Sequence, residues 1–298
     1  MIGGIDLGGT KIEARVFDAD LNEVARNRIP TSTTSYGAML AGITQQIKWL
    51  EDQAALTAIG LGTPGLINPR TGVMLTANLP ATGERLGADL SHATGREIAI
   101  INDCRAFTLS EAAMGAGKGH RNVVGLVIGT GVAGGQAIEG QIVPDMNGQH
   151  GEFGHLPLPA RFVEQYGLPL IPCGCGLMAC IETYLAGPGL VRLAQQIAGV
   201  TATTQDILTK HPDVRKAWLD LAAMLIGVIT RTSDPDMIVL GGGLGMIDGL
   251  QGELALTLDG HLLANTDPPI ITQAQHGDAS GALGAAIYAS QQLEGMRS

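Results

Sequence analysis

Along the first hundred residues, short apolar runs alternate with stretches in which apolar positions recur every three or four residues. Residues 2–7 and 11–17 read as two strands joined by the Gly8-Gly9 turn, with residues 23–29 a third strand of the same meander. Residues 36–53 place Met39, Leu40, Ile43, Ile47 and Leu50 at helical spacing, and residues 58–62 then read as a buried strand. Another strand at 98–101 runs into Asn102-Asp103, ahead of helical spacing over 107–114. Asp103 is therefore expected where a strand ends and a helix begins, the junction at which α/β sheets collect ligand chemistry.

The pattern then repeats. Residues 123–128 form a strand, Gly129–Gly131 a glycine turn and residues 132–138 a second strand, which implies a duplicated domain with weak internal symmetry. From Pro188 onward the spacing is mainly helical, longest over 214–230. A strand at 237–240 then ends in Gly241-Gly242-Gly243, and a last helix covers about 282–293. Gly115 to His120, with three glycines and two basic residues, is the expected hinge.

Composition narrows the classes. The 298 residues carry a net charge of −10, and the 18 Lys and Arg do not cluster, so nucleic acid and anionic membrane are not expected partners. No apolar run approaches the roughly 20 residues that span a bilayer. The opening Met-Ile-Gly-Gly-Ile-Asp lacks the pattern of a secretory signal, so a cytoplasmic setting with reduced thiols is expected. Glycine, 43 of 298 residues, is about twice its usual share and points to backbone brought close to a ligand.

Asp6-Leu7-Gly8-Gly9-Thr10-Lys11 reads either as a plain hairpin with glycines at positive φ or as a phosphate turn. In the second reading it offers glycine amides, a hydroxyl, and a carboxylate for a water-bound magnesium ion. The repeat of the layout at Gly129-Thr130-Gly131 favours two turns gripping one polyphosphate. Gly129-x-Gly131-x-x-Gly134 also fits a dinucleotide fingerprint, but residues 136–143 alternate like a hairpin where that fingerprint needs a helix. Asn102-Asp103 can cap the following helix. Asp103 can also take a proton from a substrate hydroxyl during phosphoryl transfer.

Cys173, Cys175 and Cys180 fall within eight residues, downstream of Glu152-Phe-Gly-His155. Together with His155 they complete a closed tetrahedral shell, so a structural zinc ion is expected. The zinc would anchor a loop bearing Glu152 and Glu182, two carboxylates suited to a polyhydroxylated ligand.

In this order, Asp6-Leu-Gly-Gly-Thr-Lys11, Asn102-Asp103, Gly129-Thr-Gly131, Glu152-x-x-His155, the Cys173–Glu182 signature and Gly241–Gly243 resemble the ROK sugar kinases over nearly the whole chain. The 17 residues between His155 and Cys173, and the run after Cys180, look most like the bacterial N-acetylglucosamine kinases within it. The resemblance implies an α/β protein of two actin-like, ribonuclease H-like domains of the hexokinase, Hsp70 and actin superfamily, with a cleft between them. Their expected bounds are 1–117, completed by a C-terminal helix at about 282–298, and 118–281 with the zinc loop.

It also implies ATP-dependent phosphorylation of the 6-hydroxyl of a hexose or N-acetylhexosamine, with Mg2+ accompanying ATP and a homodimer as the family's habit. Asp103 matches the base, while Gly65, Asn78, Asn102, Glu152, His155 and Glu182 match positions around the sugar. Asp6, Gly8, Gly9, Thr10, Lys11, Gly129, Thr130 and Gly131 match the phosphate region, and Gly241, Gly242 and Gly243 the nucleoside side. Glucokinase, fructokinase and N-acetylmannosamine kinase activities are alternatives. A sugar-responsive repressor is disfavoured, because a DNA-binding segment would precede the first glycine turn. One departure is Ala179, where the family usually has glycine; a positive φ there would cost on the order of 1 kcal/mol.

Overall fold

The computed structural model describes residues 1–295. By packing, the chain divides into two units. The first comprises Met1–Gly119, Gly135–His150 and the segment from Gln275 onward; the second comprises His120–Gly134 and Gly151–Ala274. Residues 135–150 and 275–281 therefore pack with the first unit, whereas the sequence reading placed them in the second. Side chains of one helix supply the reason. Arg105 pairs with Asp145 and donates to the Val143 carbonyl at 2.8 Å, while the buried Glu111 carboxylate accepts from the amides of Gln275 and His276 at 3.0 and 2.9 Å. Residues 296–298 of the expected C-terminal helix lie outside the described residues.

The first sheet contains β1 (Ile2–Leu7), β2 (Lys11–Phe17), β3 (Glu23–Pro30), β4 (Ala58–Thr63) and, after the short hairpin β5 (Leu66–Ile67) and β6 (Met74–Leu75), β7 (Ala99–Asn102). Its order is β3-β2-β1-β4-β7, with β1–β2 and β2–β3 antiparallel and β1–β4 and β4–β7 parallel. Helix α1 (Tyr36–Gln53) begins where the Ser35 hydroxyl accepts the Ala38 amide. It buries Met39, Ile43, Ile47 and Leu50 in the core of β1, β2 and β4. Helices α2 (Leu86–Thr94) and α3 (Asp103–Met114) follow in this unit.

The second sheet repeats the connection pattern. Strands β8 (Asn122–Ile128), β9 (Val132–Ile138), β10 (Gln141–Ile142), β11 (Met237–Gly241) and β12 (Ile270–Gln273) lie in the order β10-β9-β8-β11-β12. The expected duplication is thus visible strand for strand. Between β10 and β11 come α4 (Ala160–Tyr166), α5 (Glu182–Leu185), α6 (Gly187–Ala198), α7 (Thr204–Lys210) and α8 (Pro212–Ser233). Helix α8 is buried along most of its length, and its Trp218 indole donates to the Leu185 carbonyl at 2.8 Å. Helices α9 (Gly242–Gly245) and α10 (Leu250–Leu258) follow β11, and α11 (Ser280–Gly295) closes the described chain.

Part of the glycine excess has a packing cause. A Cβ on Gly4 of β1 would fall 2.0 Å from the Ala282 carbonyl oxygen, and one on Gly60 of β4 would fall 1.8 Å from that of Ala285. A Cβ on Gly284 would fall 1.8 Å from the Ala106 carbonyl. Helix α11 therefore lies directly on the backbones of β1, β4 and α3, which only glycine permits.

Candidate active site and metal centre

In the first unit, Asn102 ends β7 and caps α3, its Oδ1 accepting the Cys104 and Arg105 amides at 3.0 and 3.1 Å. The cap starts α3 at Asp103, four residues earlier than apolar spacing alone suggested. Asn102 Nδ2 donates to the Gly65 carbonyl at 3.0 Å and to Asp103 Oδ1 at 3.1 Å, and Asp103 Oδ1 also accepts the Cys104 amide at 2.8 Å. Both of these bonds to the Asp103 carboxyl fall on Oδ1. Burial pushes the Asp103 carboxyl above its ordinary range, outweighing the bonds from Cys104, from its own amide and from Asn102. The result is a carboxylate held through Oδ1 and shifted by burial toward accepting a proton.

Gly65, at φ 97°, sits beside this pair, and a Cβ there would meet the Leu75 carbonyl at 2.5 Å. Thr76, which the sequence reading missed, lies against Gly65 with a buried hydroxyl that has no hydrogen-bond partner among the described residues. A single threonine after a two-residue strand carries no pattern that would have singled it out. Asn78 is exposed in the loop after β6, and among the described residues no hydrogen bond joins it to Asn102 or Asp103.

The β1–β2 turn is closed by the Gly8 amide donating to the Lys11 carbonyl at 2.9 Å, and the Thr31 hydroxyl donates to the Gly8 carbonyl at 2.7 Å. Neither Gly8 nor Gly9 has positive φ, so the hairpin does not require glycine for its dihedrals. Around Gly9 there is open space where a Cβ would be, with Thr10 exposed beside it. Bare, open backbone is what a phosphate needs. The Asp6 carboxylate lies against Gly281 at the start of α11; a Cβ on that glycine would fall 2.7 Å from it.

In the second unit, the turn between β8 and β9 is closed by the Gly129 amide donating to the Gly131 carbonyl at 2.9 Å. Gly242 and Gly243 come within about 4 Å of the Cβ direction of Gly129, so the structure brings Gly129–Gly131 and Gly241–Gly243 together. Both turns present unsubstituted backbone, as close approach of a nucleotide requires.

The ligand atoms of His155, Cys173, Cys175 and Cys180 lie within 4.8 Å of one another. Cys173 Sγ is 3.7 Å from His155 Nδ1, and Cys175 Sγ is 3.6 Å from Cys180 Sγ. A tetrahedron of zinc–sulfur bonds of about 2.3 Å has edges of about 3.8 Å, so both the donor set and the spacing fit zinc with no open position. Burial, followed by the Glu182 carboxylate 3.2 Å from Cys173 Sγ, pushes the Cys173 thiol up to about 12; a bound dication reverses that by holding the thiolate. His155 faces two ways. Its Nδ1 is on the cysteine side, and its Nε2 is 3.5 Å from Glu152 Oε2. Glu182 Oε1 is 3.6 Å from His155 Nδ1, so Glu152, His155 and Glu182 form one group. Ala179, before the third cysteine, has φ 55°, the strained conformation that the departure from glycine foreshadowed.

Residues 2–292 match the model of the ROK family, and the chain is a member of it. It is 38% identical over 298 residues to an N-acetyl-D-glucosamine kinase of Pectobacterium atrosepticum, covering 96% of this chain and 98% of that one. It is also 38% identical over 296 residues to the N-acetylgalactosamine kinase AgaK of a Shewanella species, covering 96% of each. Among solved structures, the ROK hexokinase of Thermus thermophilus superposes with a TM-score of 0.86 at 29% identity over 99% of both chains. The two-sheet α/β architecture is the actin-like one expected. Among the described residues no helix is long and apolar enough to cross a membrane.

Proposed function

We propose that this protein is an ATP-dependent kinase that phosphorylates the 6-hydroxyl of an N-acetylhexosamine, N-acetylglucosamine first, with N-acetylgalactosamine the competing substrate. Family membership and the names of its relatives support the reaction class. The observation that carries the catalytic assignment is Asp103 at the β7–α3 junction, with Oδ1 fixed by Cys104 and Asn102 and the carboxyl pushed above its ordinary range by burial.

In this reading Asp103 Oδ2 accepts the proton of the sugar 6-hydroxyl as its oxygen bonds to the γ-phosphorus. The bond from that phosphorus to the β,γ-bridging oxygen breaks, and ADP leaves with the electron pair. Asn102, Gly65, Asn78, Glu152, His155 and Glu182 hold the sugar hydroxyls. Gly8–Lys11 and Gly129–Gly131 hold phosphates, and Gly241–Gly243 the nucleoside. Asp6 would hold magnesium through water; the ion neutralises charge on the β- and γ-phosphates. The zinc centre fixes the loop of Glu152 and Glu182. We assign the family's homodimer to this chain on the same footing.

ADP release measured across N-acetylglucosamine, N-acetylgalactosamine, N-acetylmannosamine, glucose, mannose and fructose tests the assignment. Turnover is expected to be highest with an N-acetylhexosamine. No turnover with any of them would refute the kinase reading, and a preference for a sugar without the acetamido group would refute the substrate class.

A further inference from the structure

Two hydrogen bonds bracket the glycine turn between β8 and β9. On one side Glu182 Oε2 accepts the Val132 amide at 3.3 Å, and on the other the Gly187 amide donates to the Gly129 carbonyl at 2.8 Å. Both come from one short segment, 180–187, which begins at the cysteine Cys180, runs through α5 and ends at the first residue of α6. The turn has a single internal backbone bond, Gly129 to Gly131, and two of its three residues are glycines, which lose more freedom on being fixed than any other residue. Left to itself such a turn is loose.

Glu182 also touches the other end of the segment's business. Its Oε1 lies 3.2 Å from Cys173 Sγ and 3.6 Å from His155 Nδ1. The thiol contact is a hydrogen bond only while the thiol keeps its proton; once a metal holds the thiolate, Glu182 is tied to the centre by the chain itself, two residues beyond the ligand Cys180. The fit is close at Gly131, where a Cβ would come within 3.3 Å of Glu182 Oε2.

We propose that Glu182 is a positioning residue for the nucleotide, and that the metal centre, through Glu182 and the segment ending at Gly187, fixes the Gly129–Gly131 turn in its phosphate-binding shape. This rests on the reading of that turn as a phosphate site. The metal then serves both substrates: it places hydroxyl acceptors for the sugar and stiffens a backbone cradle for ATP. The gain is preorganisation, since a turn already fixed loses less entropy on binding phosphate.

The test follows amide hydrogen exchange at residues 129–132 and calorimetric binding of MgATP without sugar. Both are measured in zinc-loaded protein, chelator-treated protein and zinc-loaded Glu182→Ala, with zinc content determined for each. Chelation and Glu182→Ala are both expected to speed exchange at Val132 and raise the Kd for MgATP about three- to tenfold, the effect of losing one or two hydrogen bonds. The variant should keep its zinc. Unchanged exchange at Val132 and an unchanged Kd in zinc-loaded Glu182→Ala overturn the proposal, including where chelation unfolds the protein and that arm gives no answer. If the native protein binds no MgATP, the kinase reading fails, and exchange at Val132 alone decides whether the brace exists.

Discussion

Asp103 combines two properties that can be separated by experiment. In the proposed reaction it is the base, and its raised pKa makes it a cost to the fold. A carboxyl whose pKa is higher folded than unfolded binds its proton more tightly in the folded state. Its ionised form therefore destabilises the protein above the raised value, and the penalty vanishes below the ordinary value of 3.8. Asp103→Asn keeps an acceptor for the Cys104 amide, so it should melt higher than the native protein at pH 7 and equally at pH 3. Its kcat should fall by about 10²–10⁴ while calorimetry still detects the sugar. A lower melting temperature at pH 7 would contradict the burial argument. For the native enzyme, kcat/KM should fall on the acid side through a pKa above the ordinary aspartate value. Ala179 is a second residue with a defined penalty. Relief of its left-handed backbone by Ala179→Gly, less the added freedom of glycine in the unfolded chain, should stabilise by about 0.5–1 kcal/mol in urea melts, and a loss of stability would count against strain at φ 55°.

Among the elements, glycine has two uses that sequence composition cannot tell apart. Gly60 and Gly284 lie under or on α11 with carbonyl oxygens 1.8 Å from where a Cβ would go, whereas Gly9 faces open space. Gly284→Ala should therefore destabilise by about 3 kcal/mol or more, or prevent folding. Gly9→Ala should leave thermal stability unchanged and raise the Kd for MgATP. If the two substitutions have the same effect on melting, the distinction fails. The excess of glycine was legible in the sequence as close approach, but whether to ligand or to a helix depends on a partner far away in the chain. The strands β1, β2, β8, β9 and β11 and the helices α1 and α8 were legible because each carries a full period of burial. The two-residue β5 and β6 are too short to show one. Strand β12, four residues after Pro268-Pro269 with two of them polar, was missed because it sits at a sheet edge and is half-exposed or exposed throughout. The His155, Cys173, Cys175 and Cys180 cluster and the Asn102 cap were legible because their spacing is local, while Thr76 reaches Gly65 only through the hairpin.

Each unit of the molecule has its own apolar core: Ile5, Leu7, Ile43, Ile47 and Leu61 among others in the first, and Leu126, Leu185, Trp218, Leu225 and Leu240 among others in the second. The loop of the metal centre is not an appendage of the second. Leu158, Phe162, Leu168, Ala179, Ile181 and Tyr184, which flank His155 and the three cysteines, belong to the same cluster as Trp218. An ion that fixes those four ligands therefore also fixes part of a core, and zinc binding becomes folding free energy for the second unit. Chelation should then raise hydrogen exchange across residues 156–186 and along α8, while amides in β1, β4 and α11 of the first unit stay as protected as before. Because the Cys173 thiol is pushed up to about 12 without metal, zinc uptake must release protons, and the zinc concentration needed to restore protection should rise as the pH is lowered. Restoration at the same zinc concentration at pH 6 and pH 8 would mean that the thiolates are not the ligands. Deprotection confined to the few residues between Cys173 and Cys180 would mean that the loop is only tethered to the core and not part of it.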